Sequence, residues 1–194
     1  YKVKAIDKSR NLSVDSTPIN VKTALLSDAL VAQYSFENNL EDATQNIFDA
    51  VDVAATYSTS VKKVGESSLT LNGSTAHLLL PAGIVCSKEM TIATWVYSTS
   101  SSNWQRIFDF GSGQERYMFL TPTNGSQMRF VMKSGGNEEI LSTSVLERNA
   151  WHHVAVTIGN TEVALYVDGQ VVASSTSMTI RPTDINPVRN YIGR

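Results

Sequence analysis

The stretch NAWHHVAVTIGNTEVALYVDGQ, residues 149–170, decides the fold of this chain. Each half of it carries apolar side chains at alternate positions: Val154, Val156 and Ile158, then Val163, Leu165 and Val167. This period of two is typical of a strand with one buried face. Residues 158–161 predict a tight turn between the halves, and Asp168-Gly169 predicts a second turn after them. The stretch therefore predicts a β-hairpin that contributes one face to a core.

Short extended segments recur along the chain at spacings of about ten residues, with few helical periods between them. They are residues 90–97, 105–110, 117–121, 127–133 and 139–143. Residues 67–71 and 76–80 flank the turn Asn72-Gly73-Ser74 and predict another hairpin. The segment MTIATWVY, residues 90–97, is apolar on both faces, which predicts a strand central to a sheet. The pattern predicts an all-β fold, an antiparallel β-sandwich of jelly-roll type.

Two motifs of the sequence resemble one known family, and a third segment resembles another. The pattern W-H-H-V-A-V-T followed by Y-V-D-G closely resembles the hairpin of laminin-G-like domains in the concanavalin A-like lectin/glucanase superfamily. YSFENNLED, residues 34–42, resembles the opening of those domains, and residues 1–23 resemble the last two strands of a fibronectin type III module. The resemblance implies a laminin-G-like sandwich over residues 28–194, without the family's usual closing strand, after a module remnant or linker. We expect the chain to be a fragment of a longer parent.

Composition excludes several classes of protein. Charged residues make up 18% of the 194 residues and the net charge is −2, so neither disorder nor a nucleic-acid partner is expected. The sequence contains no run of about eighteen apolar residues, so membrane insertion is not expected. The single Cys86 cannot form an internal disulfide, and we expect it to be a buried free thiol.

The resemblance extends to glucanases, so a catalytic site has to be considered. Sandwich glucanases place carboxylates at alternate positions of one strand, as in E-x-D-x-E, and no such run occurs here. Glu138 and Glu139 are adjacent and would point to opposite faces. The same argument prevents His152 and His153 from binding one metal ion together. We therefore expect the domain itself to be non-catalytic and both histidines to be packing residues.

An acidic loop is the candidate metal site. Glu37, Asn39 and Asp42 follow a predicted strand, and the resemblance implies a structural Ca²⁺ there, since calcium takes carboxylate and amide oxygens. A solvated acidic loop without metal is the alternative.

Sugar binding needs an aromatic platform beside polar groups that fix hydroxyls. Five residues around neighbouring strands and turns meet that description: Trp104, Arg106, Gln114, Arg116 and Tyr117. Trp104 follows a Ser/Thr-rich loop and is either a ligand platform or a domain contact, whereas Trp95 and Trp151 are expected in the core.

The resemblance implies a non-catalytic module that binds a polysaccharide or oligosaccharide, or that positions adjacent domains, in a secreted, periplasmic or surface bacterial glycoside hydrolase. A structural or adhesive module without sugar binding is one alternative. A fragment of a glycoside hydrolase, with its catalytic residues outside this segment, is the other.

Overall fold

A computed structural model describes residues 30–44 and 46–194, and residues Ala32–Arg194 form one compact unit. The predicted fibronectin-like segment, residues 1–23, lies outside the described residues. The strands in chain order are β1 (Val51–Val53), β2 (Thr56–Ser58), β3 (Ser68–Thr70), β4 (His77–Leu80), β5 (Met90–Tyr97), β6 (Phe108–Gly111), β7 (Arg116–Thr121), β8 (Gln127–Ser134), β9 (Glu139–Ser144), β10 (Trp151–Ile158), β11 (Val163–Val167), β12 (Gln170–Ser175) and β13 (Arg189–Ile192). A single turn of helix, α1 (Pro182–Ile185), precedes β13.

Two antiparallel sheets make up the sandwich. The larger sheet has seven strands in the order β1-β4-β13-β6-β7-β8-β9, and the smaller has four in the order β12-β11-β10-β5. A separate two-stranded ribbon joins β2 to β3. The predicted antiparallel β-sandwich is confirmed, and the strand order shows the jelly-roll crossovers, because β13 at the end of the chain lies between β4 and β6.

The hairpin formed by β10 and β11 lies where its sequence pattern predicts. In β10, Val154, Val156 and Ile158 are at most 2% exposed, and in β11 Val163 and Leu165 are fully buried. The larger sheet contributes buried side chains to the same core from its inner face, among them Leu78, Met118, Leu120 and Phe130. Alternation along each strand directs the remaining side chains to the outer face of the larger sheet.

The predicted hairpin around Asn72 is wrong, although its turn is real. The Asn72 Oδ1 atom accepts hydrogen bonds from the backbone amides of Ser74, Thr75 and Ala76 at 2.9 to 3.0 Å. The turn does not join paired strands, because β3 pairs with β2 whereas β4 pairs with β1 and β13. The Asn-Gly signal thus marks a change of sheet.

Strand β5 is an edge strand and not a central one. It pairs only with β10 among the described strands, and exposed and less exposed residues alternate along it. Its Trp95 points away from the core and is 41% exposed, so the prediction of a core tryptophan is wrong there. Cys86 is also exposed, which corrects the prediction of a buried thiol.

Candidate functional site

The loop before β6 carries two side chains across the open face of the larger sheet. Trp104 has a φ of 64°, in the left-handed region that a bulky residue seldom adopts, so its neighbours must hold it there. Its backbone amide donates to the Thr123 carbonyl at 2.8 Å, which ties the loop to the β7–β8 turn. The Trp104 side chain remains 47% exposed. An aromatic surface is thereby fixed in position without being buried.

Arg106 fastens this loop to the floor of the sheet. Its Nε atom donates to Asp109 Oδ2 at 3.1 Å, and its Nη1 atom donates to the Trp104 carbonyl at 2.7 Å. The guanidinium carbon lies 3.8 Å from the ring centroid of Phe119, which explains why that outward-facing ring is only 6% exposed. Burial raises the pKa of Asp109, and the charge and hydrogen bond of Arg106 oppose that rise in pKa.

Tyr117 lies next to Phe119 on the same face, with ring centroids 5.8 Å apart. Its hydroxyl donates to Glu138 Oε1. Burial, followed by the hydrogen bond to Glu138, raises the pKa of Tyr117 to about 12. The phenol therefore stays protonated at neutral pH and holds the Glu138 carboxylate at the side of the surface.

These groups line one open groove of about 510 Å³ on the outer face of the larger sheet. Its lining residues are Trp104, Arg106, Asp109, Gly111, Gly113, Gln114, Tyr117, Phe119, Glu138, Arg189 and Tyr191. The register explains the convergence, because Arg189 on β13 pairs with Gly111 on β6, which pairs with Tyr117 on β7. The groove crosses three neighbouring strands, of which β13 is distant in sequence from β6 and β7.

Four of the five residues predicted to bind sugar line this groove: Trp104, Arg106, Gln114 and Tyr117. Arg116 does not, because it precedes Tyr117 on the same strand and points to the opposite side. Its Nη1 atom donates to the Asp184 carbonyl of α1 at 3.3 Å. Whether the other four bind sugar stays a prediction.

Sequence reasoning missed seven groove residues, four of which have polar side chains: Asp109, Glu138, Arg189 and Tyr191. The period of two could have identified Asp109, because it lies two residues before Gly111 on β6 and therefore faces the same side of the sheet. No local signal exists for Arg189, since it reaches the groove only through the long-range pairing of β13 with β6. Glu138 and Glu139 do diverge as predicted, since Glu139 accepts hydrogen bonds from Thr179 and Ile180 outside the groove.

The acidic loop is held together by its own hydrogen bonds. Asp42 is 8% exposed, and its Oδ1 atom accepts from the backbone amides of Gln33 and Thr44, both at 2.9 Å. Its Oδ2 atom accepts from the Thr44 hydroxyl at 2.7 Å and from the Phe48 amide at 3.1 Å. Burial favours the neutral acid, but these hydrogen bonds outweigh it and hold the pKa of Asp42 below its usual value.

The other two predicted calcium ligands are also engaged separately. Glu37 Oε2 accepts from the amides of Glu66 and Ser67 at 2.8 and 3.1 Å, and Asn39 Oδ1 accepts from Glu41 at 3.2 Å. Within the described residues, no group of three or more His, Cys, Asp or Glu side chains could hold a metal ion. Because the lone pairs of Asp42 are already used by protein donors, the loop as placed does not fit a Ca²⁺ site. Calcium binding stays an untested prediction.

The two histidines of the opening hairpin have separate contacts. The Nδ1 atom of His152 lies 2.7 Å from Asp168 Oδ2, and Asp168 Oδ1 accepts from the His153 amide at 2.8 Å. The hydrogen bond from His152 is the main cause that lowers the pKa of Asp168. The His153 ring packs edge-on against Trp95, with centroids 5.3 Å apart. His152 and the His153 amide thus hold Asp168 at the turn after β11, and the His153 ring packs against the neighbouring strand β5.

A jelly-roll sandwich with a polar and aromatic groove on one open sheet face is an architecture shared with lectin domains. The family comparison agrees: residues 72–194 match a laminin-G family described as the concanavalin A-like lectin/glucanases superfamily. The chain belongs to this family. No curated protein matches the chain.

Solved structures share the fold at low sequence identity. Domain 4 of AbnA, a GH43 extracellular arabinanase from Geobacillus stearothermophilus solved with arabinotriose, is 21% identical, with a TM-score of 0.72 over 84% of this chain and 82% of that one. The CBM40 of the Ruminococcus gnavus IT-sialidase, bound to α2,3-sialyllactose, is 20% identical, with a TM-score of 0.52 over 58% and 67% of the two chains.

The alignment with tailspike protein 2 of an Escherichia coli O157:H7 bacteriophage has a TM-score of 0.52 at 18% identity, and covers 75% of this chain but only 22% of the tailspike. Two of these three neighbours are thus parts of glycan-cleaving enzymes, an arabinanase and a sialidase. Among the described residues, no helix is both long and apolar enough to cross a membrane.

Proposed function

We propose that this domain is a non-catalytic carbohydrate-binding module and that the groove on the larger sheet is its binding site. The observation that carries the proposal is the pairing of an exposed, fixed aromatic ring, Trp104, with polar groups on a rigid sheet floor. Pyranose and furanose rings offer an apolar face for such a ring and hydroxyls for the polar groups. Gln114 supports this role, since its side chain makes no hydrogen bond to any other described residue and is free to meet a hydroxyl.

The carboxylates of the groove support binding without catalysis. Asp109 is paired with Arg106, and Glu138 accepts the hydroxyl of Tyr117. Glycoside hydrolysis needs one carboxyl group free to protonate the leaving oxygen and a second free to act as nucleophile or base. Neither carboxylate of the groove is free in this way.

We further propose that the module belongs to a secreted or surface bacterial polysaccharide-degrading enzyme, a glycoside hydrolase, and keeps its catalytic domain near the substrate. The support is the fold shared with a domain of an extracellular arabinanase and with a sialidase module. Fold alone does not fix function, so the groove chemistry has to be tested directly.

The test is calorimetric titration of the domain with oligosaccharides of arabinose, galactose, galacturonic acid and sialyllactose. We expect at least one of them to bind with a Kd in the micromolar to millimolar range and no hydrolysis products to appear. A folded domain that binds none of them would contradict the proposal.

A domain contact is a second candidate role, favoured by Trp95. This ring is 41% exposed on the outer face of the smaller sheet, with Lys63 Nζ 4.5 Å from its centroid. A neighbouring domain seated there would make the module a spacer in the parent enzyme. Protection of Trp95 fluorescence from quenchers in the full-length parent, but not in the isolated domain, would support this role.

A further inference from the structure

The ionic groups around the groove divide into engaged and free ones. Arg106 is bound to Asp109 at 3.1 Å, and Lys133, beside the groove, is bound to Glu115 at 3.0 Å. Glu138 is held by the hydroxyl of Tyr117. Arg189 differs, because its side chain makes no hydrogen bond or ion pair with any other residue that the structure describes, and it is exposed. Arg189 is thus the groove cation that a ligand can use.

The positive and negative groups of the groove lie on opposite sides. Arg189 is on β13, and the guanidinium of Arg194, just after that strand, lies 4.4 Å from the ring centroid of Tyr191. Glu138 is on the other side, next to β9, beyond the β7 and β8 strands. The Asp109 carboxylate between them is neutralised by Arg106. The β13 side of the groove is therefore positive and favours a negative group of the ligand.

The spacing across the strands fits a sugar ring between the cation and the aromatic platform. Arg189 pairs with Gly111, and Gly111 pairs with Tyr117. Only Gly111, which has no side chain, therefore lies between Arg189 and Tyr117 across the sheet. Paired Cα atoms on adjacent strands are about 5 Å apart, which puts Arg189 and Tyr117 about 10 Å apart at their Cα atoms. A ring that lies over Gly111 against Tyr117 has its edge at Arg189.

We propose that the groove recognises a sugar that carries a carboxylate, and that Arg189 is the residue that selects it. The inference rests on the proposed carbohydrate-binding function. The planar guanidinium donates two parallel hydrogen bonds to a carboxylate, whereas a neutral hydroxyl uses only one of them and gains no ion pair. Uronic acids and sialic acids share this group, and the sugar ring attached to the carboxylate decides between them.

The experiment is calorimetric titration of the wild-type domain with trigalacturonate, with galactotriose as its neutral counterpart, and with sialyllactose. We expect an acidic sugar to bind at least about tenfold more tightly than galactotriose at low salt. The acidic sugar should lose affinity as salt is raised, because exposed charges are screened. Trigalacturonate and sialyllactose distinguish a uronic acid from a sialic acid.

Two variants assign the preference to one residue. Arg189→Gln should weaken the acidic sugar by about tenfold and change neutral sugar binding by less than about twofold. Arg189→Lys should restore part of the loss, since it keeps the charge and loses the fork. Arg148→Gln, which removes an exposed arginine outside the groove, is the matched control for net charge and should leave both affinities unchanged.

The outcomes separate the two proposals. If galactotriose binds as tightly as the acidic sugars, or if Arg189→Gln weakens acidic and neutral sugars equally, carboxylate selection is wrong while sugar binding stands. If no sugar binds to the folded wild-type domain, both proposals fail.

Discussion

The groove and the acidic loop carry similar polar side chains, yet they use them in opposite ways. In the loop, both oxygens of Asp42 are occupied by protein donors, two on each atom. In the groove, Gln114 and Arg189 make no such bonds within the described chain, and Trp104 stays half exposed. Buried polar groups must be satisfied within the protein, whereas groups that meet a ligand stay open until it arrives. We interpret the loop as a structural element and the groove as the binding site.

The largest expected effect is on stability, from the loop. Asp42→Ala leaves the amides of Gln33, Thr44 and Phe48 without their acceptor, and unsatisfied groups of this kind destabilise by about 1 to 3 kcal/mol each when buried. Because the site is partly solvated, we expect a total loss of about 3 kcal/mol in the free energy of unfolding, measured by urea denaturation.

Glu41→Ala is the matched control for this change, because Glu41 is an exposed acid in the same loop. It should shift the free energy of unfolding by less than about 0.5 kcal/mol. Equal effects of the two variants would show that Asp42 does not organise the loop.

The next effect is on affinity, from the groove. Trp104→Ala should weaken sugar binding by about tenfold, roughly 1.4 kcal/mol, because it removes the aromatic platform. Its melting temperature should change little, since the side chain is 47% exposed. The control is Trp95→Ala, which removes a tryptophan of similar exposure, 41%, from the other sheet. Loss of sugar binding in Trp95→Ala, but not in Trp104→Ala, would move the site to the smaller sheet.

Much of the fold could be predicted from local patterns. The hairpin of β10 and β11 has both strands and their turn within one short stretch, so period two and turn residues suffice to identify it. The role of β5 could not be predicted in this way, because strand order depends on pairing between distant segments. An apolar sequence such as MTIATWVY reads alike at the edge or the centre of a sheet, which is why Trp95 was placed wrongly.

The candidate site was predictable to the same extent. Trp104, Arg106, Gln114 and Tyr117 lie in one continuous stretch around β6 and β7, and their proximity follows from a tight connection between those strands. Arg189 and Tyr191 enter through the β13 pairing, which no local pattern announces. The prediction that Arg116 belongs to the site was wrong for a local reason. Side chains alternate along β7, so the sequence alone already placed Arg116 and Tyr117 on opposite faces.

Lowering the pH should also remove the contribution of Asp42 to the free energy of unfolding. The pKa of Asp42 is lowered in the folded protein, so its contribution to stability is complete above the unfolded pKa and is lost as pH falls through the folded pKa. We expect the stability difference between wild type and Asp42→Asn to be constant from pH 7 to about pH 5 and to shrink below about pH 4. Urea denaturation at each pH measures it, and a difference that grows on acidification would contradict the argument.

The smallest expected effect concerns calcium. Since the oxygens of Asp42 are already taken and the carboxylate of Glu37 is directed to the amides of Glu66 and Ser67, removal of divalent ions should leave the loop intact. We expect the melting temperature to change by less than about 1 °C when EDTA is added to the protein or when millimolar Ca²⁺ replaces it, because a ligand that does not bind the folded state cannot stabilise it. A calcium-dependent rise of several degrees would instead require Asp42 and Glu37 to exchange protein donors for the ion. The loop would then be a second ligand site, and the contrast between a closed loop and an open groove would no longer hold.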